Sequence, residues 1–164
     1  MEHETTLEYS VPLLREAVAG FWRRSVGMGM LIALAICAGM LGVLLAQGDK
    51  SWVVGLLGAV VTLGAAFVVA IYAVHYRNAI QKFRDMGSPR ATFRASDNSF
   101  TVSSDLATST VPWSTVTQIW KFKNCWLLLF SKAQFMTLPL ASVPQDMQVF
   151  VLERVAAAGG RTDG

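Results

Sequence analysis

Charge is scarce in this sequence: Asp, Glu, Lys and Arg supply 15% of 164 residues, while 53% are hydrophobic. A disordered chain needs the opposite balance, and an ordinary water-soluble domain carries about 25% charged residues, so neither class fits. Two stretches, 25–48 and 51–74, contain no charged side chain at all, and only Asp49 and Lys50 separate them. Cysteine and histidine occur twice each. Cys37 lies inside the first apolar stretch and Cys125 far along the tail, so no structural disulfide between them is expected, and with His3 and His75 they do not make zinc spacing. The sequence has no G-x-S-x-G, no P-loop and no glycine-rich strand-turn-helix pattern. Asp97 and Asp105 suit turns and Asp146 suits a first helical turn, leaving no acid and base couple. We therefore expect no enzyme: no catalytic residue, no cofactor and no metal.

What is abundant is apolar length. A 24-residue helix covers roughly 36 Å, more than the hydrocarbon core of a bilayer at about 30 Å. Nine Val, Leu or Ile residues fall within 26–46 and twelve Val, Leu, Ile or Phe within 52–74. Their summed transfer preference favours insertion by several kcal/mol, on the order of 0.3 to 0.6 each. The sequence thus predicts an antiparallel two-helix transmembrane hairpin, with spans at about 25–47 and 51–74. A cleaved signal peptide is disfavoured because Leu44 and Leu45 stand where cleavage needs small residues. Arg15, Arg23 and Arg24 precede the first span, and Arg77, Lys82, Arg84 and Arg90 follow the second, against a lone Lys50 in the turn. Basic residues stay on the cytoplasmic side, so the expectation is a multi-pass protein of the cell (inner) membrane with both termini cytoplasmic. Trp22 and Tyr76 would mark the inner interface and Trp52 the outer one.

Small residues recur at four-residue spacing: Ala35 with Gly39, Ala38 with Gly42, Gly55 with Ala59 and Gly58 with Thr62. Such faces let helices approach closely. They serve either the packing of the hairpin on itself or a homo-oligomer. Neither span holds a carboxylate, Lys or Arg, so the usual mark of an ion path is missing.

Flanking these spans the period of the pattern changes. Within the arm 1–24, residues 11–22 place Leu13, Leu14, Ala17, Val18, Phe21 and Trp22 at helical spacing. This predicts an amphipathic helix lying either in the lipid interface or on the cytoplasmic domain. Residues 5–10 alternate weakly and offer a strand to the tail's sheet. A basic helical extension over 75–90 should end at Gly87-Ser88-Pro89. Alternation on either side of Ser96-Asp97-Asn98 predicts a hairpin. Strands at 116–122 and 125–130 flank Lys123-Asn124, and another short strand covers 134–138. A closing helix capped by Ser142 carries Val143, Met147, Phe150, Val151 and Val155 as its apolar stripe, and Gly159-Gly160 stops it. The fold class is α+β: the hairpin plus a small antiparallel β domain at 91–158, built as a single sheet closed by a C-terminal helix, with 159–164 as a flexible tail.

Trp113-Ser114-Thr115-Val116-x-x-Ile119, the apolar strand at 125–130, Leu138-Pro139-Leu140 and the closing helix resemble the C-terminal domain of YcxB-like proteins. The two spans and the strand-helix arm are similar to that family as well, so the likeness covers nearly the whole chain. It implies a curved antiparallel sheet with a C-terminal helix, as in bacterial pleckstrin-homology (PH) and GRAM-type modules. Leu140 stands where such proteins often carry a basic residue after the proline, which weakens an anion contact there. The resemblance implies no activity.

The functional expectation is a non-catalytic, membrane-tethered interaction module, engaging a membrane or cytoplasmic protein or the inner-leaflet surface. The alternative is an oligomeric pore or the accessory subunit of a transporter. Candidate contacts to anionic head groups or a partner are Arg77, Lys82 and Arg84 beside the membrane and Lys121, Lys123 and Lys132 around the hairpin turns. Setting topology needs these same charges and is the plainer account of the first three. Trp113, Trp120, Trp126, Phe122 and Phe130 are expected to fill the core, and Cys125 to be a buried, inert thiol. Nucleic-acid binding is excluded for want of a dense basic surface with exposed aromatics.

Overall fold

A computed structural model of the chain describes residues 2–85, 87–131 and 134–163. The chain forms two compact units, one of Met1–Val18 with Tyr76–Gly164 and the other of Ala19–His75.

In the first unit, two four-stranded sheets enclose one core. The strands β1 (His3–Glu8), β2 (Arg90–Ala95), β3 (Ser99–Ser103) and β4 (Thr108–Pro112) lie side by side in that order, all antiparallel. The second sheet is built from β5 (Gln118–Lys121), β6 (Cys125–Leu129), β7 (Phe135–Pro139) and β8 (Arg161–Asp163), in the order β7-β6-β5-β8. Two pairings there are antiparallel, whereas β8 runs parallel to β5. Strand alternation decides which side chains enter: along β2, Ala91, Phe93 and Ala95 are buried while Arg90 and Arg94 face solvent. The outward arginines meet acids in register on β1, with Arg94 Nη2 2.8 Å from Glu4 and Arg90 Nη2 3.2 Å from Glu8. That register makes the weak alternation of the N-terminal residues a strand of this sheet.

The helix α4 (Gln145–Ala157) closes the core with Met147, Phe150, Val151 and Val155. Facing them are Leu7, Phe93 and Phe100 from one sheet and Ile119, Trp126, Leu128 and Leu138 from the other. Phe100 is central: its ring lies 5.5 Å from Phe93 and 4.8 Å from Trp113 between centroids. The Trp113 indole N–H donates to the Ser96 carbonyl at 2.8 Å, tying the turn after β4 to the β2–β3 turn. The N-terminal strand also joins the two sheets. The Thr5 hydroxyl donates to the Ser142 carbonyl at 2.6 Å, the Glu8 N–H to the Ser142 hydroxyl at 3.0 Å, and the Tyr9 hydroxyl to the Thr137 carbonyl at 3.2 Å.

Several expectations are corrected here. The β domain holds two sheets rather than one, because β4, whose polar Thr-Ser-Thr run gave no hydrophobic alternation, extends the first sheet by register with β3. Residues 159–164 are not simply a flexible tail, since Arg161–Asp163 is a strand. Ser142 does not cap α4: it sits in a single 3-10 turn (Leu140–Ser142) and spends its polar atoms on β1, while Pro144 holds the cap position.

The second unit is helical. The helix α1 (Val11–Val26) begins in the first unit and ends in the second. It does not run on into the next helix as a single span from residue 25. Gly27 has φ of +74°, a left-handed conformation open to glycine, so α2 is Met28–Ala46. After the short turn comes α3 (Trp52–Asp85), 34 residues long, ended near Gly87 at φ of +75°. Both α2 and α3 are long and apolar enough to cross a membrane. Within this unit the indole N–H of Trp22 donates to the Val68 carbonyl at 2.9 Å, and the rings of Phe21 and His75 lie 4.7 Å apart.

The hairpin packs through large residues. Leu31, Leu34, Cys37, Leu41 and Leu44 on α2, and Val54, Leu57, Val61, Gly64 and Val68 on α3, are among its covered positions, at spacings of three and four. A Cβ placed on Gly64 would stand 2.8 Å from Leu34 Cδ1, so that glycine receives the leucine. Nothing lies within 4 Å of a Cβ built on Gly39, Gly42, Gly55 or Gly58. The small-residue faces therefore do not pack this hairpin on itself, since leucines and valines occupy the seam.

Truncating the central core ring tests this packing. Phe100→Ala should destabilise the β domain by about 3 to 5 kcal/mol, while Thr110→Ala on the solvent face of β4 should stay within about 0.5 kcal/mol. Denaturant melts of the full chain followed by tryptophan fluorescence measure both.

Candidate interaction site

The strand β6 has no solvent face. Trp126 and Leu128 point into the core, and Cys125, Leu127 and Leu129 on the opposite face are buried as well. A continuous apolar run demands cover on both sides. The second cover is the first half of α1, where Leu14, Ala17 and Val18 are buried. Glu16 anchors it by accepting a hydrogen bond of 2.7 Å from the Asn124 side chain, in the β5–β6 turn. This decides between the two placements open to the amphipathic helix: residues 11–18 pack with the β domain.

The β5–β6 turn brings two of the candidate residues together. Phe122 donates its N–H to the Cys125 carbonyl at 2.9 Å and Leu140 donates to the Asn124 carbonyl at 3.0 Å, so the turn is held from both ends. Lys123 projects from it, exposed. Lys121 is half-buried, its Nζ 5.9 Å from the centroid of the Trp126 ring, and its stem covers the edge of the core. Arg77 and Arg84 are exposed on α3, seven residues apart and thus on one face two turns along. Lys132 and the side chain of Lys82 lie outside the described residues. Among the described residues, Arg77, Arg84 and Lys123 enter no ion pair, whereas Arg90, Arg94 and Arg154 do. Exposed basic groups outside these ion pairs therefore include those at the β5–β6 turn and the end of α3, together with Arg15 and Arg161. Of the aromatic group, Trp113 and Trp126 are buried, and Trp120, Phe122 and Phe130 are half-buried at its margin.

Titratable chemistry is muted. No three His, Cys, Asp or Glu side chains cluster as a metal site would require, among the described residues. Burial, and secondarily the charge of Glu16, pushes the Cys125 thiol up to about 12, so it stays protonated at neutral pH. Burial also raises the Tyr9 hydroxyl well above the usual phenol range. His3 is seated rather than loose, its Nδ1 3.7 Å from Asp146 Oδ2 and its ring 4.8 Å from that of Phe150.

What the sequence did not disclose are the two contacts that position the turn, Glu16 with Asn124 and Leu140 with Asn124. The partners are more than a hundred residues apart in one case, and in the other they join the β5–β6 turn to the 3-10 turn after β7, so no local pattern signals them.

The raised thiol and phenol fix the sign of the alkaline response. In the unfolded chain an ordinary thiol ionises near pH 8.5, while in the folded chain Cys125 holds its proton, so unfolding releases protons above that pH. Stability should fall as pH rises from about 8.5 towards 12, by at most about 1.4 kcal/mol per pH unit for this group. Cys125→Ala should flatten that fall, and Tyr9→Phe should flatten the part that begins near pH 10. Melting temperatures across this range in both variants measure it.

No curated protein and no solved structure matches the chain. The matching family covers the stretch from the last residue of β2 to the interior of α4, including the β5–β6 turn, and leaves out β1, the two long apolar helices and β8. The family that the chain matches is YcxB-like protein, over residues 95–153.

Proposed function

We propose that the protein is a non-catalytic interaction module tethered in the cell (inner) membrane. In this reading α2 and α3 span the bilayer, both termini are cytoplasmic, and the PH-like β domain engages a protein partner at the inner face. The observation that carries the reading is the contrast between the units. The apolar helices offer Ile32, Ile36, Met40, Leu56, Leu63 and Phe67 without protein cover, which lipid would supply, whereas the β domain buries most of its large apolar residues and exposes charge. Two four-stranded sheets, antiparallel except for the β5–β8 pairing, with a helix against their core support the PH-like assignment that the family resemblance implied.

The inner-leaflet surface is the second ligand of this module. Arg77 and Arg84 on one helix face, with Lys121 and Lys123 at the turn, place basic groups where anionic head groups attract about 1 kcal/mol each at a membrane. The alternative of an oligomeric pore or transporter subunit is favoured by one fact, the open faces at Gly39, Gly42, Gly55 and Gly58.

Three measurements separate these readings. Photo-crosslinking of the full chain in cells, from probes on exposed positions of the β domain, should recover the same protein partner repeatedly; recovery of chaperones alone defeats the module reading. In nanodiscs of anionic lipid, Lys121 and Lys123 should be protected from amine-reactive labelling, and salt should remove that protection by screening. Equal labelling in neutral nanodiscs defeats the lipid contact. Native mass spectrometry in mild detergent tests the alternative. Gly39→Ile and Gly42→Ile should leave the hairpin folded and, for an oligomer, yield monomers; a monomeric wild type removes that alternative.

A further inference from the structure

The hairpin sets which residues of its two helices are level with one another. Leu34 and Gly64, which meet, stand equally far in sequence from Asp49 in the turn, so Met28 at the start of α2 lies opposite Ala70 on α3. The 19 residues of α2 and the equal run 52–70 of α3 each rise about 27 Å, close to a hydrocarbon core of about 30 Å. Were α1 coaxial with α2, Trp22 would stand level with Tyr76, about 12 Å along α3 from Val68. Its side chain would also lean further away, towards the start of its own helix. Its indole N–H nevertheless donates to the Val68 carbonyl at 2.9 Å, and its ring meets that of Tyr72 edge-on at 6.1 Å. The preceding residue, Phe21, sets its ring 4.7 Å from that of His75. These contacts straddle Ala70, so the chain turns at Gly27 and the end of α1 lies across α3 at the level where α2 begins.

With α2 and α3 in a bilayer, that level is the inner edge of the hydrocarbon, where an amphipathic helix lies in the plane of the interface. The end of α1 is two-sided in the required way. Phe21 and Val26 are buried, as is Val68 on α3, and Trp22 is half-buried, whereas Arg23, Arg24 and Ser25 are exposed. Past Ala70, α3 carries Arg77 about 10 Å and Arg84 about 21 Å further. Among the described basic residues of α3 and this half of α1, Arg23 and Arg24 therefore come closest to lipid. We propose that residues 19–26 form an interfacial segment whose Arg23 and Arg24 bind the phosphates of anionic phospholipids in the inner leaflet, with the hydrocarbon ending near Ala70 rather than at Val74, where the charge-free run of sequence ends. This deepens the lipid contact of the membrane-tethered module and rests on the spanning of α2 and α3. The guanidinium fork pairs with phosphate oxygens, and a head group without a cation of its own leaves that charge unopposed, which sets the preference for anionic over zwitterionic lipid.

Two measurements on the full chain in nanodiscs test the site, with Cys37→Ala throughout and Cys125 shielded by burial. Nitroxides attached one at a time through Phe67→Cys and Val74→Cys, both exposed positions, report depth by collision with oxygen, which concentrates in hydrocarbon, and with a water-soluble nickel chelate. The label at Phe67 should sit in hydrocarbon, and the label at Val74 should meet the chelate. Protection at Val74 equal to that at Phe67 overturns the placement of the edge. Native mass spectrometry of the chain released from mixed phosphatidylglycerol and phosphatidylcholine then counts the lipids retained. Each arginine at an anionic surface is worth about fivefold, so Arg23→Gln with Arg24→Gln should lower the preference for phosphatidylglycerol by about tenfold or more. Arg23→Lys with Arg24→Lys should keep most of that preference, because the charge remains. An unchanged preference in the glutamine pair, or an equal loss in the lysine pair, overturns the site. Chelate access at Phe67 in the chain with both arginines would defeat the spanning of α3 and the tether with it. Phe67 in hydrocarbon without any lipid preference removes the site and leaves the tether standing.

Discussion

Burial of one strand on both faces organises the β domain. A run of five apolar residues, Cys125 to Leu129, cannot tolerate water on either side, so it needs a core beneath it and a helix above it. The core side recruits Phe100, Ile119, Leu138 and α4, and the outer side recruits the buried stripe of α1. Because α1 is tied down by Glu16 to the β5–β6 turn, the basic residues of that turn are displayed from a braced position. The same burial explains the silence of Cys125, whose thiol is held protonated by the packing that makes the strand stable.

Distant segments are stitched together by polar atoms as well as by hydrophobic area such as Leu7. Ser142 accepts from β1 at its hydroxyl and carbonyl, Tyr9 reaches Thr137, and the Trp113 indole reaches Ser96. Each such bond contributes on the order of 1 kcal/mol, and losing one partner inside the fold costs more than that. The N-terminal strand is thus part of the β domain although almost the whole helical unit separates it in sequence from β2. It also links the domain to the start of α1, which is how a short arm comes to serve sheet, helix and core together.

The proposed function follows from where charge and apolar area are left uncovered. The long apolar helices use leucine and valine, with Gly64, for their own seam and leave Gly39, Gly42, Gly55 and Gly58 open, so those small residues are free for lipid or another helix. The β domain pairs three surface arginines internally, through Glu4, Glu8 and Asp97, and Arg77, Arg84 and Lys123 are among the basic residues outside such pairs.

The sequence by itself determined the elements whose signal is local. Uninterrupted apolar length gave the two helices, period-two alternation gave β2 and β3, and the stripe from Met147 to Val155 gave α4, because each pattern repeats within a few residues. The short motifs around Trp113 and Leu138 were also enough to identify the matching family. Tertiary structure alone decided the rest. β4 and β8 are polar and short, and they are strands only because a neighbour supplies hydrogen bonds in register. Ser142 looked like a helix cap, yet its polar atoms found better partners on β1, and Gly159-Gly160 looked like a simple stop although Gly160 is required by a close approach to Val116. Which small residues pack a helix pair depends on how the two helices are rotated about their axes, and four-residue spacing does not contain that rotation.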